Sequence, residues 1–149
     1  MSGTAAYDAL IMEHIKNARN YCVPEDANRT ATGANPLCGD ELTVYLKVER
    51  ERIEEITFQC TCCGISMASA SIMTGMIKGQ DARNARLLLQ KFIATLHDRA
   101  AAALPDIASE QRAILATVRK YPSRVQCAAL PWATLDSALD NLQDTVFVR

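Results

Sequence analysis

"LTVYLKVERERIEEITFQCTCCGISMASASIM", residues 42–73, decides the fold. Leu42, Val44, Leu46 and Val48 alternate with Thr43, Tyr45 and Lys47, the period-two pattern of a strand with one buried face. A charged turn over 49–52 follows, and Ile56, Phe58 and Cys60 alternate again, so the simplest reading is an antiparallel hairpin. From Ile65 the period becomes helical, with Ile65, Ser69, Ile72, Met73, Met76 and Ile77 on one side and Gly79 as a C-terminal stop. Cys62 and Cys63 therefore fall at a strand-to-helix junction, and half of the chain's six cysteines are gathered there.

Upstream, Leu10, Ile11, His14, Ile15 and Ala18 share one face of a helix over about residues 6–20. Residues 21–41 are rich in Asn, Asp, Gly, Pro and Thr and read as loop, with Pro36 blocking helix before Cys38. Downstream, Asp81 is placed to cap a long helix through Leu87, Leu88, Phe92, Ile93 and Leu96. "LPDIASE" (104–110) breaks the pattern, and another helix runs to about Lys120. After a proline turn, Cys127 stands near the start of a last helix with Leu135, Ala138, Leu139 and Leu142, where Pro131 fits only the first turn or a kink. The expected fold is α+β: a small antiparallel three-stranded sheet covered by helices.

With 149 residues, 49% of them hydrophobic, and no repeat or linker, the chain reads as one domain over 1–149. A formal charge of −1 leaves no electrostatic footprint for nucleic acid or an anionic membrane, so a protein or small-ion partner is expected. The N-terminal segment has no long uncharged apolar run, which argues for a cytoplasmic protein without signal or anchor. Six cysteines in a reducing compartment point to metal binding or thiol chemistry rather than to a disulfide framework.

Cys38, Cys63 and Cys127 all sit where loops or helix starts can turn side chains toward one point. Zinc and ferrous iron take about four ligands in a tetrahedron and accept thiolates. Asp40, beside Cys38 and hinged by Gly39, can supply the fourth arm, a hard oxygen that an incoming ligand would displace most readily. The alternative reading is that each of the three is a small buried hydrophobe.

"NPLCGDEL" (35–42), "CGISMASASIMT" (63–74) and "VRKYPSRVQCAALPWATLDSAL" (118–139) resemble the three motif blocks of the IscU/SufU/NifU N-terminal family of iron–sulfur cluster assembly proteins, and "EHIKNARN" (13–20) resembles its first-helix signature. The segment at about 97–120 resembles the helical insertion of the SufU branch. Gln126 stands where the scaffold branch has a histidine ligand, which also favours a SufU-type protein. The resemblance implies zinc on Cys38, Asp40, Cys63 and Cys127. It further implies a zinc-dependent sulfurtransferase that accepts persulfide sulfur on Cys38 from a SufS-type cysteine desulfurase and supplies downstream iron–sulfur assembly proteins. One rival is a scaffold carrying a transient iron–sulfur cluster on the same ligands. The other is a thiol redox protein using Cys60 and Cys62.

Those two cysteines depart from the family pattern, which has glycines at both positions. Cys60 continues the buried parity of Ile56 and Phe58 and reads as a core residue. Cys62 is open between packing, an alternative metal arm, a second sulfur carrier and a resolving thiol. Cys22 reads as a loop residue, His14 as a packed or surface helix residue and His97 as solvated. Ser66, Ser69 and Ser71 suit close packing or bonding to carbonyls, Met67, Met73, Met76 and Trp132 suit the core, and no Ser/His/Asp set suggests itself. Arg119 to Arg124 flanks the proposed site and is placed to meet a partner.

Overall fold

The computed structural model describes residues 3–98, 107–141 and 145–148 and is built around the hairpin. β2 (Asp40–Glu49) and β3 (Arg52–Thr61) pair antiparallel, with Val44 opposite Phe58 and Leu42 opposite Cys60. Arg50 and Glu51 form the two-residue turn with φ of 51° and 64°. Left-handed backbone at both positions matches the twist of the flanking strands. Leu42, Val44, Leu46, Ile56 and Phe58 are almost fully buried, as the alternation requires.

Among the described residues the sheet has four strands rather than three and is mixed, in the order β3-β2-β1-β4. β1 (Arg29–Asn35) occupies part of the segment expected to be loop and pairs antiparallel with β2, while β4 (Val146–Phe147) runs parallel to β1. The inward residues of β1 are Ala31, Gly33 and Asn35, too small or polar for an apolar alternation to stand out. They are small because a helix crosses directly above them: a Cβ at Gly33 would collide with the side chain of Thr134.

Among the described residues, five helices cover the sheet: α1 (Gly3–Lys16), α2 (Gly64–Ile77), α3 (Ala82–His97), α4 (Ser109–Lys120) and α5 (Val125–Leu139), with a 3₁₀ turn at Pro122–Arg124. α1 stops four residues short of the expected end, so Ala18 lies beyond it. Asp81 caps α3 by accepting a hydrogen bond from the Asn84 N–H at 2.7 Å, and Gly79 adopts φ of 86° after α2. Leu142, assigned to the last helix, and part of the 97–120 segment lie outside the described residues.

α2 is buried on almost every side, including Ser66, Ala68, Ser69, Ala70, Ser71 and Thr74. Its small side chains allow close approach, and its hydroxyls bond across to neighbours: Ser69 donates to the Ala128 carbonyl at 2.7 Å and accepts from Trp132 Nε1 at 2.9 Å. Trp132 stacks edge-on against Phe92 with centroids 4.9 Å apart. His14, 1% exposed, ties three helices together through Ser71 Oγ and Glu110 Oε2, each at 2.7 Å. This Ser–His–Glu arrangement is absent from the sequence reading, yet Ser71 is fully buried and also accepts the Arg19 N–H at 2.8 Å, so it is a structural link.

Pro131 sits in the interior of α5, beyond the first turn where the sequence allows it without a kink. It has no N–H to offer the carbonyl four residues earlier, that of Cys127. The Ser66 hydroxyl bonds that carbonyl instead, at 2.9 Å.

Candidate thiol and metal site

Three chain turns meet at one end of the sheet. Between β1 and β2, the backbone N–H groups of Cys38 and Gly39 both reach the Asn35 carbonyl, at 3.3 and 2.9 Å, and Gly39 takes φ of 75°. A left-handed residue at this place lets the chain reverse within four residues. The reversal leaves Cys38 exposed at the tip beside Leu37, which is 83% exposed, and returns Asp40 to the buried face as the first residue of β2. Cys63 is the N-cap of α2 and Cys127 lies in the first turn of α5. Both places are at the positive end of a helix dipole.

The ligand atoms of Cys38, Asp40 and Cys127 all lie within 4.8 Å of one another, and the Cys38 and Cys127 sulfurs are 3.7 Å apart. Cys63 lies outside this group but borders it: its backbone N–H donates to Asp40 Oδ1 at 2.9 Å, and its thiol is near enough to that of Cys127 to raise the pKa there. Two sulfurs on a tetrahedral zinc, each bonded at about 2.3 Å, would stand about 3.8 Å apart. The spacing and the soft donor set therefore suit zinc, and equally ferrous iron.

Asp40 stands at the start of a strand rather than in the expected loop. It is only 5% exposed, and its second oxygen accepts the Ser66 hydroxyl at 2.9 Å. Burial works to raise its pKa, but hydrogen bonds from Cys38, Ser66 and Cys63 together hold it below the usual carboxylate value. The Cys127 thiol moves strongly the other way, raised by burial, by the charge of Cys63 and by hydrogen bonds with Cys38 and Cys63. A bound cation would reverse that balance.

Two contributors are named in the sequence for other roles, without a part in the cluster. Ser66, fully buried, joins Asp40 to the Cys127 carbonyl and so fixes two arms of the cluster relative to each other. Its signal was present, a hydroxyl three residues after Cys63 with Pro131 four residues after Cys127, but only the fold brings the two together. Arg124, placed by the sequence only to meet a partner, has its pKa raised by the neighbouring Cys127 and by the charges of Cys63 and Cys38. It also lines an open, mainly apolar groove of about 290 Å³ with Cys63, Ile65 and Tyr121.

The structure joins Cys60 to Cys62 in a disulfide, the pair on which the thiol redox alternative rests. The strand-end geometry brings their Cα atoms to 5.5 Å, within the range a disulfide spans. Cys60 remains packed against the core as its parity requires. Cys22 is exposed and unbonded to other sulfur, in the loop beside β3, and His97 is exposed.

The profile of the NifU-like N-terminal domain family matches residues 6–128. The zinc-dependent sulfurtransferase SufU of Bacillus subtilis is 34% identical over 133 residues, covering 89% of this chain and 88% of that protein. The iron–sulfur cluster assembly scaffold protein IscU of Streptococcus pyogenes is 29% identical, covering 89% and 82%. Among solved structures, FiSufU of Fervidobacterium islandicum, assigned as an iron–sulfur cluster assembly scaffold for the SUF system, superposes with a TM-score of 0.80 at 28% identity over 93% of this chain and 99% of that one. Among the described residues, no helix is long and apolar enough to cross a membrane.

Proposed function

The chain belongs to the NifU-like N-terminal domain family, and from that premise we propose that it is a zinc-binding sulfur acceptor for iron–sulfur cluster assembly, taking persulfide sulfur from a cysteine desulfurase in the cytoplasm. The observation that carries the reading is the exposed Cys38 thiol on a glycine-hinged tip, 3.7 Å from the buried Cys127 sulfur and grouped with Asp40. Similarity over most of both chains to a protein named as a zinc-dependent sulfurtransferase supports it.

Cys38, Asp40, Cys63 and Cys127 would hold the metal, which when bound keeps the sulfurs as thiolates. Cys38 is the acceptor because it alone of the four is exposed. In the transfer, its thiolate attacks the outer sulfur of the partner's persulfide. A new bond forms between Cys38 Sγ and that sulfur, the partner's S–S bond breaks, and the partner cysteine leaves as thiolate. Asp40 and Ser66 hold the Cys63 and Cys127 arms in place meanwhile, and Arg124 offsets negative charge beside them. Leu37 and the apolar groove by Tyr121 and Arg124 flank the thiols and would receive the desulfurase. The domain is taken as 1–149, with the segment at about 97–120 as its SufU-type insertion.

Kinship with proteins named as scaffolds supports a second reading, assembly of a transient iron–sulfur cluster on the same ligands. Acceleration of a desulfurase by the zinc form, with persulfide on Cys38, supports transfer. Cluster assembly on the chain and its delivery to an apo-acceptor, without such acceleration, would replace transfer by the scaffold reading.

A further inference from the structure

Cys60 and Cys62 are bonded to each other at the edge of the thiol site and have no part in the acceptor chemistry described above. Cys60 is register-paired with Leu42 and Thr61 with Glu41. Asp40 and Leu42 both point to the buried face of β2, and Cys60, opposite Leu42, packs against the core on that face, so the sulfurs it shares with Cys62 in the disulfide belong to the face that carries the cluster. Opposed side chains of an antiparallel pair are about 5 Å apart at Cβ. The next residue, Cys63, is fastened to Asp40 through its N–H.

The two cysteines are held differently. Tyr21 Oη donates to the Cys60 carbonyl at 3.0 Å and accepts from the Cys60 N–H at 3.4 Å, pinning that residue on β3. Cys62 lies past the end of the strand. β3 is an edge strand and both cysteines are only half-buried, so external thiols can reach them.

Two thiols that close into a disulfide are a source of two electrons. Sulfane sulfur needs two electrons to leave as sulfide. We infer that Cys60 and Cys62, as a dithiol one strand away from Asp40, reduce the sulfur accepted on Cys38 and release it as sulfide, the structure showing the oxidised product of that step. The inference rests on Cys38 being the acceptor.

The Cys62 thiolate attacks the outer sulfur of the Cys38 persulfide. A Cys62 Sγ–sulfur bond forms, the bond to Cys38 Sγ breaks, and Cys38 leaves as thiolate to regain a proton. The Cys60 thiolate then attacks Cys62 Sγ, forming the Cys60–Cys62 bond and expelling hydrosulfide. One persulfide and two thiols become one thiol, one disulfide and one hydrogen sulfide: sulfur is reduced and the dithiol oxidised. An external dithiol reductant, itself closing to a disulfide, resets the pair.

The test uses the full chain, reduced and then freed of reductant, loaded either by a cysteine desulfurase with cysteine or by cysteine persulfide alone. Sulfide is measured colorimetrically, and the state of every cysteine is mapped by mass spectrometry of alkylated digests. In the wild type, sulfide release should match Cys60–Cys62 disulfide formation one to one. In Cys62→Gly and Cys60→Ser, each checked for native circular dichroism and zinc content, persulfide should persist on Cys38 and sulfide release should slow by at least about tenfold. Persulfide that accumulates on wild-type Cys38 while Cys60 and Cys62 remain thiols overturns the inference and leaves the acceptor reading standing. So does sulfide release at the wild-type rate from both variants. Absence of persulfide on Cys38 in the wild type and in both variants, under either donor, overturns the acceptor reading and the inference with it.

Discussion

Replacing Ser66 by alanine removes one oxygen, yet the structure makes that oxygen unusually costly to lose. Ser66 is fully buried, and its one hydroxyl proton is shared between Asp40 Oδ2 and the Cys127 carbonyl, each acceptor at 2.9 Å. Pro131 supplies no N–H to that carbonyl, so within α5 nothing replaces the hydroxyl. A buried acceptor left unpaired costs about 1–3 kcal/mol, and more when it is charged. Two acceptors are affected, one of them a carboxylate that keeps its bond from the Cys63 N–H, so Ser66→Ala should destabilise the metal-free chain by about 2–4 kcal/mol. At about 2–4 °C per kcal/mol for a chain of this size, the melting temperature should fall by about 4–16 °C. Pro131→Ala restores an N–H opposite the Cys127 carbonyl. It should therefore be worth about 1 kcal/mol more in the Ser66→Ala background than in the wild type. Urea unfolding of the four proteins in this cycle measures the coupling directly. A Ser66→Ala cost below about 0.5 kcal/mol, or a coupling of zero, would refute the claim that Ser66 completes α5 and holds the site together.

Asp40→Ala should lower stability by about 2–4 kcal/mol as well as weakening metal binding, because it strips the acceptor from the Cys63 N–H and the Ser66 hydroxyl; unchanged urea midpoints would show those bonds to be dispensable. Single Cys→Ser substitutions at Cys38, Cys63 and Cys127 should each lose tight zinc binding, and retention of stoichiometric zinc by all three on elemental analysis would remove the proposed ligand set. Protons compete with zinc for thiolates, so the metal should be released as pH falls. Chelator stripping at neutral pH should lower the melting temperature, which scanning calorimetry would read.

What the sequence discloses here depends on side-chain size. The hairpin is legible because Leu42, Val44, Leu46, Ile56 and Phe58 are large and alternate, and the caps at Gly79 and Asp81 are legible because their conformations need those residues. β1 escapes because its buried face is Ala31, Gly33 and Asn35, sized to fit beneath α5 rather than to fill a core. Pro131 looks out of place inside a helix until Ser66, far away in sequence, is seen to take up the carbonyl it leaves. In the same way His14 and Glu110 carry no local signal, and only the packing of α4 on α1 pairs them at 2.7 Å. Cys38, Cys63 and Cys127 could be suspected from their places at a turn and two helix starts. The position of Asp40, buried at the start of β2 and bonded through both oxygens, could not.

The central claim is that one site holds zinc and accepts sulfur on Cys38. Elemental analysis of the purified chain, followed on the same sample by a single turnover with a cysteine desulfurase and persulfide mapping by mass spectrometry, tests it most directly. One zinc per chain, with the first persulfide on Cys38 and with both zinc and persulfide lost in Cys38→Ser, is the expected result. A chain that binds no zinc, or that takes its first persulfide on another cysteine while Cys38 stays unmodified, would contradict the account.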